Sequence, residues 1–116
     1  QQAEAAPENC AVSVDAPADL PALRAAIEAA AYRISAEALA NATRHGRARS
    51  CRIVLALAEG ALLLEIRDDG IGAPAGNQAG VGITAMRERA EELGGELLVE
   101  PGEGGGTRVQ ARLPLR

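Results

Sequence analysis

The stretch Glu-Ala-Leu-Ala-Asn-Ala-Thr-Arg-His, residues 37 to 45, decides how the rest of the chain is interpreted. On an α-helix, Glu37, Asn41 and His45 follow each other at intervals of four residues, and Arg44 lies three residues beyond Asn41. Residues at these spacings share one helix face, so a carboxylate, a carboxamide and two basic groups form a single polar stripe. This stripe is too polar for a core. For so short a motif taken alone, a solvated helix face is the simple alternative.

The overall composition describes one domain of 116 residues, which is long enough to bury a core without disulfides or metal. The formal net charge is -4, no basic block is present, and Tyr32 is the sole aromatic residue, which together argue against nucleic-acid binding. No run approaches the ~18 apolar residues of a membrane span. We expect Tyr32 to pack in the core or at its boundary, with stacking on a bound base as the alternative.

The two cysteines, Cys10 and Cys51, lie far apart in the sequence, and the chain has one histidine. Neither the spacing nor the residue count suits a zinc site. We interpret them as two reduced structural thiols of a cytoplasmic domain, and a disulfide between them stays open.

Hydrophobic periodicity predicts five strands and two helices. The apolar stripe of the first helix is expected to include Ile27 and Ile34, and that of the second Met86 or Arg87 together with Ala90. The helices are expected from Leu20, capped by Asp19, to near Gly46, and from Ile83 to Leu93, where Gly94-Gly95 stops the second. Apolar or alternating runs predict strands over 10–15, 51–58, 61–67, 96–100 and 107–115, the second and third joined by a hairpin turn at Glu59-Gly60. This order predicts an α/β (α+β) two-layer sandwich, with a mixed, mostly antiparallel sheet and its helices on one face. Residues 1–9 are expected to be a polar lead-in and residues 10–116 the domain.

A polar, glycine-rich segment follows the third predicted strand, at Asp68-Asp69-Gly70-Ile71-Gly72. In isolation, a plain turn explains this segment equally well. As part of a binding site, a carboxylate at Asp68 would accept a hydrogen bond from the exocyclic amino group of adenine, where guanine presents a carbonyl oxygen. Gly70 and Gly72 would let the backbone pass close to the purine and the sugar. The segment therefore predicts selection of ATP over GTP.

Two further groups of residues suit a triphosphate. Gly80-Val81-Gly82, just before the second helix, resembles a phosphate cradle, because exposed N–H groups and a helix N-terminus attract anions. The spacing is not that of a P-loop, and the chain has no lysine.

Asn41 offers Mg²⁺ a neutral oxygen, and Glu37 is placed to accept a proton or to orient the waters of the metal. Arg44 and His45 would meet phosphate charge on the same side, with a helix-end cap as an equal alternative for His45.

In combination, these motifs resemble those of the GHKL ATPase/kinase superfamily, whose members share the Bergerat ATP-binding fold. The segments from Tyr32 to His45 and from Gly82 to Gly95 are similar to the catalytic domains of NarX/DesK-type sensor histidine kinases, and the similarity extends from Leu20 to Leu115. The matching motifs are Glu37-x-x-x-Asn41-Ala-x-Arg44-His45 for the N-box, Asp68-x-Gly70-x-Gly72 for the G1 box, Gly80-x-Gly82 for the G2 box and Gly106-Thr107 for the closing Gly-Thr pair.

The resemblance implies a role for each matched residue. Asn41 would bind Mg²⁺, Glu37 would be the catalytic base and Asp68 would hold adenine, with Thr107 supporting Asp68 through a water. The lid over ATP would be the short loop from Ala73 to Ala79. Arg44 stands where many relatives have lysine, and Ala73 stands where a large apolar residue is common, which predicts a weakly anchored lid. The remaining ATP-binding residues would be His45, Gly70, Gly72, Gly80, Val81 and Gly82.

The function that the resemblance implies is the catalytic domain of a bacterial two-component sensor histidine kinase. It would bind Mg-ATP and transfer the γ-phosphoryl group to a histidine on a separate dimerisation domain, which we expect to be missing from this chain. Its partners would be that phosphoacceptor domain and a downstream response regulator. We expect a cytoplasmic portion of a membrane-anchored sensor that does not itself contact the membrane. The alternatives are a serine kinase of the anti-sigma-factor type and a non-catalytic nucleotide-binding regulatory module.

Overall fold

The structure, a computed structural model, describes residues 10–44, 47–71, 80–102 and 104–115, and of residues 80 and 81 it describes the backbone. A five-stranded sheet has the strand order β1-β2-β3-β5-β4, in which β1 pairs with β2 in parallel and the other neighbours are antiparallel. This confirms the predicted α/β two-layer sandwich. The elements in chain order are β1 (Ala11–Asp15), α1 (Ala25–Arg44), β2 (Ser50–Ala58), β3 (Ala61–Asp68), α2 (Gly80–Glu92), β4 (Glu96–Pro101) and β5 (Thr107–Pro114).

A two-residue turn sets the register of the central hairpin. Glu59 and Gly60 have φ angles of 50° and 76°, as a type I′ turn requires. The turn pairs Ala58 with Ala61, and the same register continues along β2 and β3 until Cys51 lies opposite Asp68. The hairpin sequence therefore determines which residue stands beside Asp68 at the far end of the strand pair.

The core lies between one face of the sheet and the two helices. Leu62, Leu64 and Ile66 alternate along β3, are at most 2% exposed, and pair with the buried residues Leu113, Ala111 and Val109 of β5. The helices cover them with an apolar stripe at helical spacing, as predicted. Its buried members are Ile27, Ala30, Ile34, Ala38, Leu39 and Ala42 of α1 and Met86 and Ala90 of α2. Neither helix in the described part of the chain has both the length and the hydropathy that a membrane span requires.

Helix α1 begins at Ala25, so the predicted start at Leu20 with an Asp19 cap is wrong. The first helical hydrogen bonds run from the N–H groups of Ile27 and Glu28 to the carbonyl of Arg24, both at 3.0 Å. The residue before a proline avoids the α conformation, and Leu20 precedes Pro21, which keeps this segment out of the helix. Leu20 still packs against the core. Leu20 therefore contributes to the core from outside the helix.

Tyr32 is 72% exposed, which contradicts the predicted core or boundary position. An α-helix turns by about 100° per residue, so a residue two positions from Ala30 and from Ile34 points to the opposite side of the helix. Both of these neighbours are buried against the sheet. Tyr32 therefore faces away from the core.

Helix α2 begins at Gly80, three residues before the predicted start at Ile83. The triplet Gly80-Val81-Gly82 therefore forms its first turn. At the other end, the N–H of Gly95 donates to the Ala90 carbonyl at 2.9 Å and that of Gly94 to the Glu91 carbonyl at 3.0 Å. Gly94 has a φ of 81°, and this combination is the Schellman motif. The predicted glycine stop is confirmed.

The packing predicts that Ile34→Ala destabilises the domain by about 2–5 kcal/mol, because Ile34 is fully buried on the sheet-facing side of α1 and its loss leaves a cavity. Chemical denaturation followed by circular dichroism measures this change in the free energy of unfolding. Val14→Ala is the matched control: Val14 is 62% exposed, and an exposed substitution is expected to change stability by no more than about 0.5 kcal/mol. Equal losses in the two variants would contradict the described core.

Candidate functional site

The predicted site residues Asn41 and Asp68 come from two layers that meet at one edge of the sheet. Strand β2 begins where β3 ends, since Cys51 is the register partner of Asp68. Helix α1 ends close to the start of β2, because the N–H of Ala48 donates to the carbonyl of Ala42 at 2.9 Å. The C-terminal part of α1, which carries Asn41, therefore lies at the same edge as Asp68.

Asp68 is a half-buried carboxylate held by backbone donors. Its Oδ1 accepts the N–H of Gly70 at 2.8 Å, and the N–H of Thr107 also donates to this carboxylate. Burial raises the pKa of Asp68 above its usual value, and the neighbouring charge of Asp69 adds to this, while the two N–H groups act in the opposite direction. An ionised carboxylate has about four acceptor positions, so two donors fix it and leave room for a ligand donor.

Gly106 allows the start of β5 to approach Asp68. A Cβ atom at this position would overlap the carbonyl oxygen of Asp68 and lie 3.1 Å from its Oδ1, and the φ angle of Gly106 is +78°. The close approach explains how the N–H of the next residue, Thr107, reaches the Asp68 carboxylate. The sequence had placed Gly106 in a motif without a role in the site; the run Gly104-Gly105-Gly106 was the available signal.

Asp69, the neighbouring carboxylate, has a different task that sequence reasoning missed. It is exposed, and it accepts the N–H groups of Arg49 at 2.8 Å and Ser50 at 3.0 Å, together with the Ser50 hydroxyl at 3.0 Å. These donors lower the pKa of Asp69. Successive residues of a strand point to opposite faces, so two adjacent aspartates cannot serve one site equally. Asp69 fastens the end of β3 to the start of β2, and Asp68 takes the helix-facing side.

Both cysteines are buried free thiols close to this edge. Burial raises the pKa of Cys51 to about 12, with smaller contributions from Cys10 and the two aspartates. Burial likewise raises the pKa of Cys10. Because the thiolate is the reactive form, both residues act here as small apolar side chains, in agreement with the structural role expected from the sequence.

The polar stripe of α1 reaches α2 through Glu37. A Cβ atom at Gly82 would overlap Glu37 Oε2 and lie 3.0 Å from Glu37 Cδ, so the carboxylate rests on the first turn of α2. Asn41 is half-buried, and Arg44 is exposed at the last position of α1. The structure thus brings Glu37 of the α1 stripe against Gly82, two residues that lie far apart in the sequence.

An open groove of about 910 Å³ runs between α1 and α2 and reaches Glu37. Glu37 is the last residue of α1 along its wall, and Tyr32 stands in the middle of the same wall. Small alanine side chains leave the groove wide, and its charges are mixed. The lining residues are Ala25, Glu28, Ala29, Tyr32, Arg33, Ala36, Glu37, Ala85, Met86 and Arg89.

Several predicted residues lie outside the described part of the chain: residues 1–9, His45, Gly72 and the expected lid from Ala73 to Ala79, together with the side chain of Val81. Within the described ranges, no three His, Cys, Asp or Glu side chains form a group that could hold a metal ion. A donor set of one neutral amide at Asn41 fits Mg²⁺ that takes most of its ligands from phosphate and water.

Comparison with known proteins gives a consistent result. Residues 26–116 match the model of the family described as histidine kinase-, DNA gyrase B- and HSP90-like ATPase. The chain is 32% identical over 81% of its length to sensor histidine kinase LiaS of Bacillus subtilis, and 40% identical over 73% of its length to the signal transduction histidine-protein kinase/phosphatase UhpB of Salmonella typhimurium. These matches span 27% and 17% of the two relatives, respectively.

The fold agrees with the histidine kinase domain of a blue-light activated histidine kinase from Erythrobacter litoralis. The TM-score is 0.77 with 26% sequence identity, and the match covers 92% of this chain and 52% of that one. The resemblance to sensor histidine kinases stated from the motifs is thereby confirmed.

The Gly106 contact predicts a difference between two glycines with almost the same backbone angle. Gly104 has a φ of +79°, and no atom lies within 4 Å of a Cβ built there. Gly104→Ala should therefore lower the free energy of unfolding by only the cost of alanine in a left-handed conformation, about 1–2 kcal/mol. Gly106→Ala meets the same cost and also overlaps the Asp68 carbonyl, which adds about 1–3 kcal/mol of overpacking. Denaturant titration of both variants measures the difference, and equal destabilisation would contradict the described contact.

Proposed function

We propose, starting from the fact that this chain belongs to the histidine kinase-, DNA gyrase B- and HSP90-like ATPase family, that residues 10–116 act as the ATP-binding catalytic domain of a two-component sensor histidine kinase. The observation that carries this proposal is the half-buried Asp68 carboxylate, held by two backbone N–H groups at the sheet edge where α1 ends. A kinase of this type needs one group to select the base, another to hold the phosphates and a third to act on the incoming nucleophile.

Adenine recognition is assigned to Asp68. With its position determined by Gly70 and Thr107, the carboxylate accepts a hydrogen bond from the exocyclic amino group of adenine and repels the carbonyl oxygen of guanine. Partial burial strengthens this interaction, because fewer waters compete for the carboxylate. Gly70 and Gly72 keep the adjoining backbone free of side chains, and a water held by Thr107 completes the network.

The triphosphate is assigned to the C-terminal part of α1 and the first turn of α2. The free N–H groups and the dipole of the α2 N-terminus, at Gly80, Val81 and Gly82, favour anionic phosphate. Arg44, the last residue of α1, adds positive charge, and His45 is assigned to the phosphates beside it. The Asn41 amide oxygen is the protein ligand for Mg²⁺, which when bound neutralises phosphate charge during transfer.

Phosphoryl transfer is assigned to Glu37 and to a phosphoacceptor histidine from a separate dimerisation domain. The imidazole nitrogen attacks the γ-phosphorus, the bond to the β,γ-bridging oxygen breaks, ADP leaves, and Glu37 accepts the proton that the imidazole loses. The groove that reaches Glu37 is wide enough to admit a partner element along α1. The phosphoryl group then passes from the histidine to a response regulator.

The cellular setting follows from the chemistry of the substrate. The domain works in the cytoplasm, where ATP is available, as one part of a longer membrane-anchored sensor, and it makes no membrane contact of its own. The named relatives are sensor kinases of which this chain matches a minor part, which supports such an arrangement.

Substitution of Asp68 by asparagine is predicted to weaken ATP binding by roughly 10- to 100-fold, since a hydrogen bond to a charged group contributes about 1.5–3 kcal/mol. GTP binding should change little, so the preference for ATP falls. Titration of the two nucleotides by calorimetry, with and without Mg²⁺, measures both affinities. Asp69→Asn is the matched control and should leave the ATP affinity unchanged, because Asp69 faces the β2 junction.

The raised pKa of Asp68 also predicts that ATP affinity and folding stability depend on pH in opposite directions. ATP affinity should fall on acidification as the carboxylate protonates, at a pH above that of an ordinary aspartate. The native state binds this proton more tightly than the unfolded state does, so the contribution of Asp68 to stability is present below the unfolded pKa and is lost as pH rises through the folded pKa. Asp68→Asn should remove both dependences, and their persistence in that variant would contradict the assignment.

The catalytic role of Glu37 is separated from simple nucleotide binding by Glu37→Gln. Loss of a general base is expected to slow phosphoryl transfer by about 100-fold or more, while ATP affinity stays nearly constant. Autophosphorylation of the full-length protein and ATP titration of the domain measure the two quantities. Transfer at the normal rate would remove Glu37 from this role, and a full-length protein that binds ATP without transfer would favour the non-catalytic regulatory module.

A further inference from the structure

The backbone conformation at Gly82 does not require a glycine. Gly82 lies in the first turn of α2, and it is not among the described glycines with a positive φ angle, which are Gly60, Gly94, Gly104, Gly105 and Gly106. Alanine has a markedly higher helix propensity than glycine at such a position. A helical glycine with an ordinary backbone therefore needs another reason, and the reason lies in its surroundings.

Among the described residues, the side chain nearest to Gly82 is that of Glu37. The three atoms nearest to a Cβ built at this position all belong to Glu37: Oε2, which it would overlap, Cδ at 3.0 Å and Cγ at 3.4 Å. Other helical positions facing α1 carry side chains, such as Ala85 on the groove wall. The missing side chain of Gly82 thus leaves the space that the Glu37 carboxylate occupies.

The charge of Glu37 suits this position. The first turn of α2 contains no acidic residue of its own. The N–H groups of a first helical turn lack partners within the helix, and the helix dipole favours negative charge there. Glu37 therefore supplies from α1 the negative charge that α2 lacks, and steric space and electrostatics act in the same direction.

From these observations we infer that Gly82 is a positioning residue, whose absent side chain forms the seat that holds the Glu37 carboxylate on the first turn of α2. The inference rests on the proposed function only in assigning Glu37 as the base; the seat itself is a property of the contact between α1 and α2. If Gly82 served only to bind phosphate, its missing side chain would leave space for the nucleotide and not for Glu37.

Gly82→Ala tests this inference because the overlapped atoms are the flexible end of a side chain. The carboxylate can swing away, so the domain should keep its melting temperature or gain slightly from the better helix propensity. We expect autophosphorylation of the full-length protein to fall at least 10-fold, as about a 1 Å misplacement of a catalytic group can cost 100-fold. The ATP affinity of the domain should stay within about threefold of the original, because alanine keeps the backbone N–H through which Gly82 is assigned to the phosphates.

A double-variant comparison separates the seat from a direct effect on the nucleotide. In a Glu37→Gln background, where the base is already lost, Gly82→Ala should reduce residual transfer no further, because non-additive losses mark residues that act as a unit. A second loss of the same size, or an ATP affinity reduced more than about 10-fold by Gly82→Ala alone, would overturn the inference in favour of a phosphate-binding role. If Glu37→Gln slows transfer and Gly82→Ala does not, the inference is overturned as well.

A measurement that needs no catalysis keeps the inference distinct from the proposed function. The ¹³C resonance of the Glu37 side-chain carboxyl, identified by its loss in Glu37→Gln, should shift in Gly82→Ala and stay in place in Gly104→Ala, whose position is open. An unshifted signal in Gly82→Ala would overturn the seat. If the signal shifts while Glu37→Gln transfers normally, the seat stands and the assignment of Glu37 as the base fails.

Discussion

The hydrogen bonds that hold the Asp68 carboxylate determine the geometry of the candidate site. Two donors from distant parts of the chain, the N–H of Gly70 and the N–H of Thr107, converge on one side chain at the end of β3. The Thr107 bond forms only if β5 starts directly beside Asp68, and that requires Gly106 to have no side chain. The result is a carboxylate that is partly removed from water and can still ionise. Selective recognition of an amino group requires both properties.

The register of the β2–β3 hairpin explains why adjacent aspartates take different roles. The type I′ turn at Glu59-Gly60 fixes the pairing, and every residue along β3 then has a defined face. Asp68 falls on the face covered by the helices, opposite buried Cys51, and Asp69 turns to the N–H groups of Arg49 and Ser50. A slip of one residue would exchange their positions, so a turn at one end of the hairpin controls the chemistry at the other.

The glycines of the chain fall into groups with different physical causes. Gly60 and Gly94 adopt positive φ angles in a hairpin turn and a helix stop, where any L-residue is strained. Gly106 combines such an angle with contact to the Asp68 backbone, and Gly82 has contact alone, with the Glu37 carboxylate. Two glycine motifs that look alike in the sequence therefore have different contacts. Gly106 lets a backbone donor reach Asp68, the carboxylate proposed to recognise adenine, and Gly82 leaves space for Glu37, the proposed general base.

Local patterns in the sequence were sufficient to predict the element order, the apolar stripes of Ile34 and Met86, the hairpin turn and the family, because these depend on neighbours three to four residues apart or on short motifs. They failed at Leu20, where Pro21 excludes helix, and at Tyr32, which lies on the far side of the α1 stripe.

The Asp69 anchor and the contacts of Gly106 with Asp68 and of Gly82 with Glu37 were decided by tertiary structure alone. Each joins residues far apart in the chain, and only packing determines which backbone comes close enough to exclude a side chain.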